Sequence, residues 1–483
     1  MSEEETKTKE PTQTTKMTWL AQKRYEFVRS TDGDIFAMRC DGEGRPFGRP
    51  ISLAANRAEI TAEMLCMFNF EHGSYPSANV VRDALAAATF QAYLTEPRQF
   101  HLRYANVNGS ILIDLGTDTG TVVEATGKGW KVLEKAPDGV YFRRTATTSP
   151  IVTPTTGGSL ETLREIVNVN DEQWPLLVGW MLSAVFDFPR PVLFLTGSQG
   201  AAKTSTAKTL IELLDPTPVP MRTRPRDEKA WQEQASGSQI IGFDNLSFIP
   251  DWLSDALCTA VTGDGTVKRT LYTDNGISVS RIHCALILTS IDVGNSLRGD
   301  LIDRMVRVEL ADITDERRMK ESDVVAWQDA HGSQILGAYL DLLVKVLAAR
   351  EVVKPTSRPR MADFGHLLYA LDHVTGWKSV DAFNEQTQSS AYEVLDSSPF
   401  LSAVVSFMEN REEWTGTVGG LFVQINNRPD VTLNRADAWP KTPAAAGGVL
   451  TRGLATLKAH GVAVHKHGRT NKARLLTLSQ VTR

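Results

Sequence analysis

The sequence predicts an α/β protein. A buried parallel sheet stands at its centre, an α+β domain precedes it, and a small domain of helices and a basic hairpin follows. Three observations lead there. Short apolar runs at Val192–Leu195, Ile240–Ile241 and Cys284–Leu288 are separated by helical patterns, as strands buried on both faces require. Before residue 150, helical spacing gives way to short strands broken by Gly-rich turns. After Asp437 no acidic residue occurs, while Lys441, Arg452, Lys458, Lys466, Arg469, Lys472, Arg474 and Arg483 do.

Composition narrows the class. A chain of 483 residues, with 42% hydrophobic and 23% charged residues, suits a soluble globular protein of several domains. No apolar run is long enough to span a bilayer, and Met1–Lys7 lacks the apolar core of a signal peptide. A cytoplasmic location and no membrane partner are therefore expected. Cys40, Cys66, Cys258 and Cys284 are scattered and read as reduced, and the nine histidines form no metal-ligand pattern with them, so no zinc is expected. A net charge of −5 argues against nucleic-acid binding over the whole surface, and local charge matters more.

Taken in order, residues 1–17 are polar and expected to be disordered. Residues 18–150 form the α+β domain. Short strands lie around turns at Asp32-Gly33 and Asp41-Gly42, helices cover 56–94, and strands follow at Ile111–Leu115, Thr121–Glu124, Trp130–Leu133 and Val140–Arg143. Asp114, Asp118 and Glu124 are either metal-binding carboxylates of the primase kind or plain turn acids. Residues 148–158 read as a linker, and Leu160–Phe186 as helical.

Residues 159–350 carry the chemistry. The strand Val192–Leu195 runs into Gly197-Ser198-Gln199-Gly200-Ala201-Ala202-Lys203-Thr204-Ser205. A helix follows, with Ala207, Leu210, Ile211 and Leu214 on one face. Strand, glycine loop, Lys-Thr and helix make the P-loop arrangement, whose backbone N–H groups cradle phosphates. Lys203 would reach the terminal phosphates of ATP and Thr204 would hold Mg²⁺. Ala202 stands where Gly is usual, and Ala adopts a positive φ only at a cost. About 40 residues further on, Ile240–Phe243 ends in Asp244, a Walker B pattern that would complete the Mg²⁺ site with Thr204. Asn245 follows, where many ATPases carry an acid that polarises water. The strand Cys284–Leu288 is expected between the first two and offers Ser290 to the γ-phosphate. Arg304 is either an arginine finger on a neighbour's nucleotide or a salt-bridge partner of Asp300 or Asp303. The basic run Arg222–Lys229 contacts either phosphates, a neighbouring subunit, or solvent alone.

These parts, in this order, resemble the superfamily 3 helicase core of viruses, phages and plasmids, within the AAA+ class. Over Ile111–Asp363 the chain is more closely similar to prophage and mobile-element ATP-binding proteins described as primase/helicase proteins. The shared phrases include Phe243–Ser247, Asp251–Leu257, Arg269–Asp274 and Arg360–Phe364. The resemblance implies a hairpin that touches DNA inside a ring's channel, carried here by Lys268, Arg269, Tyr272, Arg281 and His283. It also implies self-association, as a hexameric ring, and primase or other replication proteins as partners. Asn245 and Ser290 depart from the acid and the Asn usual there, which bears on hydrolysis rate rather than on binding.

Residues 355–395 read as a helical connector and 396–483 as a winged helix, with Lys466, Arg469, Lys472 and Arg474 on the wing for DNA or for a protein partner. The expected whole is an AAA+-like P-loop ATPase core between an N-terminal α+β domain and a C-terminal winged-helix domain. Its expected work is ATP-dependent DNA unwinding or remodelling in replication of a phage or mobile element. The alternative is a nucleotide-switched initiator or loader that does not translocate.

Overall fold

A computed structural model describes residues 10–269, 277–290, 297–314, 318–357, 359–428, 439–469 and 474–480. Its central sheet has five strands: β1 (Val192–Thr196), β2 (Met221–Arg222), β3 (Ile240–Phe243), β4 (Ala285–Thr289) and β5 (Met305–Glu309). They lie in the order β2-β3-β4-β1-β5, and every neighbouring pair is parallel. The four residues of β3 and all five of β4 are buried, which is why both read as unbroken apolar runs. As expected, β4 lies between β1 and β3. Helix α1 (Lys203–Leu214) follows β1, α2 (Asp251–Thr262) follows β3, and the long α3 (Glu321–Val352) follows β5. The sheet fits a P-loop core.

The stretch Leu160–Phe186 is less regular than its apolar text suggests. Leu160–Glu165 is a 3₁₀ turn, and only Trp174–Ser183 is α-helical. That helix is buried at every residue, so no face of it shows amphipathic spacing.

The region before residue 150 divides between two main cores, with smaller apolar clusters around Leu112 and Met38. Residues 13–94 have their own: helices Gln13–Arg24, Arg57–His72 and Ala78–Tyr93 pack on a three-stranded antiparallel sheet. The first of these helices begins inside the segment expected to be disordered. Thr12 caps it, and Met17, Leu20 and Ala21 are buried, so this stretch is less polar in effect than its composition. By contrast, the strands Tyr104–Val107, Ser110–Asp114, Val122–Thr126 and Gly129–Leu133 form a sheet that shares the core of the parallel sheet. Ile111, Ile113, Val123 and Ala125 belong to one apolar cluster with Val192 and Trp180.

A buried charge network ties that sheet to the core. The Arg103 side chain is 1% exposed and Asp215 is 6% exposed, and Arg103 Nε donates to Asp215 Oδ1 at 2.8 Å. Arg103 also donates to the carbonyls of Asp114 and Ser149. The other Asp215 oxygen accepts from the backbone N–H groups of Gln239 and Ile240, at 2.9 Å each. Asp114 pairs with Arg144 at 2.9 Å, Glu124 with Lys131 at 3.0 Å, and Asp118 is 99% exposed. The three candidate carboxylates are thus dispersed, and among the described residues no cluster of metal-ligating side chains occurs.

The C-terminal region has a third core. Helices Pro399–Met408, Val418–Asn426, Pro443–Arg452 and Leu454–Ala459 pack on a three-stranded antiparallel sheet ordered Glu413–Thr417, Arg474–Gln480, Val462–Arg469. The helical stretch from Pro443 to Ala459 breaks at Gly453, where a Cβ would lie 2.5 Å from Leu401 Cδ1. No helix among the described residues is long and apolar enough to cross a membrane.

Arg103→Ala leaves the Asp215 charge buried and without its cation, so it should destabilise the chain by about 3–5 kcal/mol. Urea unfolding followed at Trp fluorescence measures this, and an unchanged midpoint would show that the network adds nothing.

Candidate functional site

The cleft at the C-terminal edge of β1, β3 and β4 has a volume of about 540 Å³. The loop Gln199–Ser205 lines one side of it together with Asp244, Asn245 and Thr289. The loop's shape follows from its residues. Gly197 has φ +140°, and a Cβ there would lie 2.7 Å from the Leu310 carbonyl oxygen, so β5 approaches as close as only glycine allows. Ala202 does adopt the left-handed conformation, φ +58° and ψ +30°, immediately before α1 begins at Lys203. Non-glycine residues pay about 1–2 kcal/mol for that conformation.

Lys203 Nζ donates to the carbonyls of Gly197 at 2.8 Å and Ser198 at 2.7 Å, so the lysine folds back over its own loop. Partial burial lowers its pKa, and the Asp244 carboxylate works against that shift. Thr204 Oγ1 donates to Asp244 Oδ1 at 2.7 Å. Thr289 Oγ1 donates to the same oxygen at 2.7 Å and accepts the Asn245 N–H at 2.9 Å. Asn245 has φ +50°, a conformation Asn tolerates better than most residues. One carboxylate oxygen therefore gathers hydroxyls from α1 and β4. This oxygen-rich group suits a hard divalent cation such as Mg²⁺, and the lysine and loop suit phosphate.

Other expected residues lie elsewhere. Ser290 follows Thr289, and successive strand residues face opposite ways. Its hydroxyl is buried and donates to the Leu246 carbonyl at 2.7 Å, so Thr289, unrecognised in the sequence, faces the cleft in its place. Glu165 and Arg318 also line the cleft and carry no motif that sequence reading could have used. Arg304 stands at the start of β5, paired in register with the start of β1. Five strand residues put it roughly 16 Å from the loop's edge of the sheet. Its guanidinium donates to the Asp300 carbonyl at 2.6 Å, while Asp300 faces Arg298 and Asp303 pairs with Arg360. Among the described residues no carboxylate pairs with Arg304, so the expected salt bridge to Asp300 or Asp303 is absent.

In the basic run, Arg222 is buried and bonds Ser238 Oγ at 2.6 Å, Arg224 lies over the Phe248 ring, and Arg226 pairs with Asp227 at 3.3 Å. Arg222 is thus a packing residue.

The hairpin candidates divide. Lys268 and Arg269 lie on the strand Gly265–Arg269, and Arg281 ends its antiparallel partner Ile277–Arg281. Tyr272 lies outside the described residues. His283 stands at the root of the hairpin, with Nδ1 3.1 Å from Asp187 Oδ1, and its ring fills the space beside Gly263. That hydrogen bond holds the Asp187 carboxyl below its usual pKa. In the C-terminal domain, Lys466 and Arg474 are exposed on the outer hairpin, Arg469 ends its strand, and Lys472 lies outside the described residues. Lys441, Arg452 and Lys458 are exposed as well.

Residues 160–390 match the family model described as actinomycete integrative conjugative element replication protein, and residues 400–483 match the AICE RepA C-terminal domain. No curated protein matches the chain. Among solved structures, the SCCmec type IV Cch structure described as an active helicase aligns with 95% of this chain and 93% of its own, at 12% identity and a TM-score of 0.44. The apo C-terminal region of NrS-1 aligns with 98% of this chain and 100% of its own, at 12% identity and a TM-score of 0.37.

Ala202→Gly removes the left-handed strain and should raise stability by about 1 kcal/mol. Chemical denaturation of the two proteins measures the difference, and a loss of stability would show that Ala202 is not strained.

Proposed function

We propose that this chain, which resembles mobile-element replication proteins over both its core and its C-terminal domain, is a DNA-dependent ATPase that unwinds or remodels DNA. The observation that carries this is the single Asp244 oxygen shared by Thr204 and Thr289, beside Lys203 at the start of α1. Lys203 would bind the terminal phosphates of ATP, and the Gln199–Ser205 backbone would cradle them. Thr204 and Asp244 would hold Mg²⁺, which neutralises phosphate charge when bound. Thr289 orients Asp244, and Asn245 orients water through its amide without taking a proton.

Arg304 acts on the nucleotide of an adjacent copy. Its place on the far edge of the sheet and its lack of a carboxylate partner among the described residues support action between copies rather than within one. The C-terminal domain is read as a winged helix. Its helix–strand–helix–helix–helix–hairpin order supports that reading, as do five exposed cations, Lys441, Arg452, Lys458, Lys466 and Arg474. Among the described residues none of the five pairs with a carboxylate, so each is available for DNA phosphates. The hairpin Gly265–Arg281 contacts DNA a second time, and β4 links its root to the nucleotide.

A second reading keeps nucleotide and DNA binding but not translocation. Asn245 in place of an acid favours it, because slow hydrolysis suits a switch or loader. ATP-dependent strand displacement separates the two.

Lys203→Ala should abolish ATP binding or hydrolysis while the melting temperature stays near that of the parent. Turnover at the parental rate would remove the assignment.

Replacing both Lys268 and Arg269 by Ala should leave DNA binding but end DNA stimulation of ATPase. Deleting residues after 396 should do the reverse. It should also flatten the salt dependence of binding, which on duplex DNA has a slope near ~0.9 per phosphate neutralised. If the double variant is stimulated as strongly as the parent, the hairpin does not couple DNA to hydrolysis.

A further inference from the structure

The edge of the sheet opposite the nucleotide cleft carries a second cation beside Arg304. Arg304 and Arg360 line the same hollow of about 250 Å³. One carboxylate joins them, since Asp303 precedes Arg304 in the chain and pairs with the Arg360 guanidinium. Burial raises the Asp303 pKa, and the charges of Arg360 and Arg304 oppose the rise. The other cation of this segment, Arg298, is already committed, to Asp255 at 2.9 Å and Asp300 at 3.5 Å.

The backbone around Arg360 is held firmly. A Cβ on Gly365 would lie 2.4 Å from Pro359 Cγ, so the proline packs directly on the helix Ala362–Thr375. Met361 is buried, and its carbonyl accepts the Gly365 N–H at 2.8 Å. The Arg360 side chain nevertheless remains 46% exposed. A fixed backbone bearing a half-exposed guanidinium is what a positioned cation needs, because little ordering entropy is lost when it binds.

We propose that Arg360 is a second cation which this chain delivers, with Arg304, to the nucleotide phosphates held by an adjacent copy. Asp303 parks it until that copy docks. The proposal rests on the composite-site reading above. A guanidinium binds phosphate oxygens in a bidentate fork, and a triphosphate presents more negative charge than the single Asp303 carboxylate, so the exchange favours the phosphate. The plain alternative is that the Arg360–Asp303 pair only fastens the linker before Ala362 to the helix Gly299–Ile302.

ATP hydrolysis by full-length chains and their equimolar mixtures decides between them. Arg360→Ala should lower kcat about a hundredfold or more while changing KM for ATP by less than about threefold. Mixed with Lys203→Ala, it should recover activity at about a quarter of the parental sites, where an intact loop meets an intact cation. Arg304→Ala with Lys203→Ala is run alongside. If the Arg304 mixture recovers and the Arg360 mixture does not, Arg360 is structural and the proposal fails. If neither recovers, the composite reading itself fails, and the proposal with it. Arg360→Lys keeps a partner for Asp303 and should keep the parental melting temperature, yet lose most of kcat because an ammonium makes no bidentate contact. Full activity in that variant overturns the proposal.

Discussion

The structure depends on where one carboxylate is buried. Asp215 ends helix α1, accepts two backbone N–H groups at the start of β3, and pairs with Arg103 from the antiparallel sheet. Removing charges from water is expensive, and this network meets the expense by satisfying both oxygens of the carboxylate. The outcome is geometric. The far end of α1 is held against the beginning of β3, so its near end, with Lys203 and Thr204, is aimed at the tip of β3, where Asp244 waits. The sheet before residue 150 is thus part of the frame that aligns the loop Gly197–Lys203 with Asp244.

The parallel sheet then sorts chemistry by edge. All five strands run the same way, so their C-terminal ends collect the loop, Asp244 and Thr289, and their N-terminal ends collect Arg304 and the hairpin root. Strand β4 spans the two edges, with His283 and Cys284 leading in at one end and Thr289 bonding Asp244 at the other. Helix α2 does the same from outside, starting after Asp244 and Asn245 and ending at Gly263, under the His283 ring. A shift of Asp244 would be felt at the hairpin through these two rigid elements, which is the physical basis for coupling nucleotide to DNA in the proposed function.

Much was legible in the sequence because it depended on local pattern. Strands β1, β3 and β4 and the loop showed as apolar runs and glycines, and the helices over 56–94 and the strands over 111–143 showed as changes of period, whereas β2 lay in a run read for its charge and the helix Gln13–Arg24 began in a stretch read as disordered. Other assignments needed the fold. Thr289 and Ser290 are adjacent hydroxyl residues, and no local signal says which faces the cleft, since the answer depends on strand register. His283 looks like a hairpin residue by position but is held by Asp187, 96 residues earlier in the chain. Arg222 sits in a basic run and is buried.

By itself the sequence determined the α/β class, the glycine loop with its Lys203-Thr204 pair, the Asp244 strand and the acid-free tail. Each of these is encoded within a few residues by spacing, glycine placement or charge. Only the tertiary structure decided that the sheet around Arg103 shares the central core, that Thr289 rather than Ser290 reaches Asp244, and that Asp303 turns to Arg360 and leaves Arg304 without a carboxylate partner among the described residues. Those outcomes depend on which face of a strand is buried and on which of several nearby charges pair. Both are settled by residues far apart in the chain, competing for the same buried space.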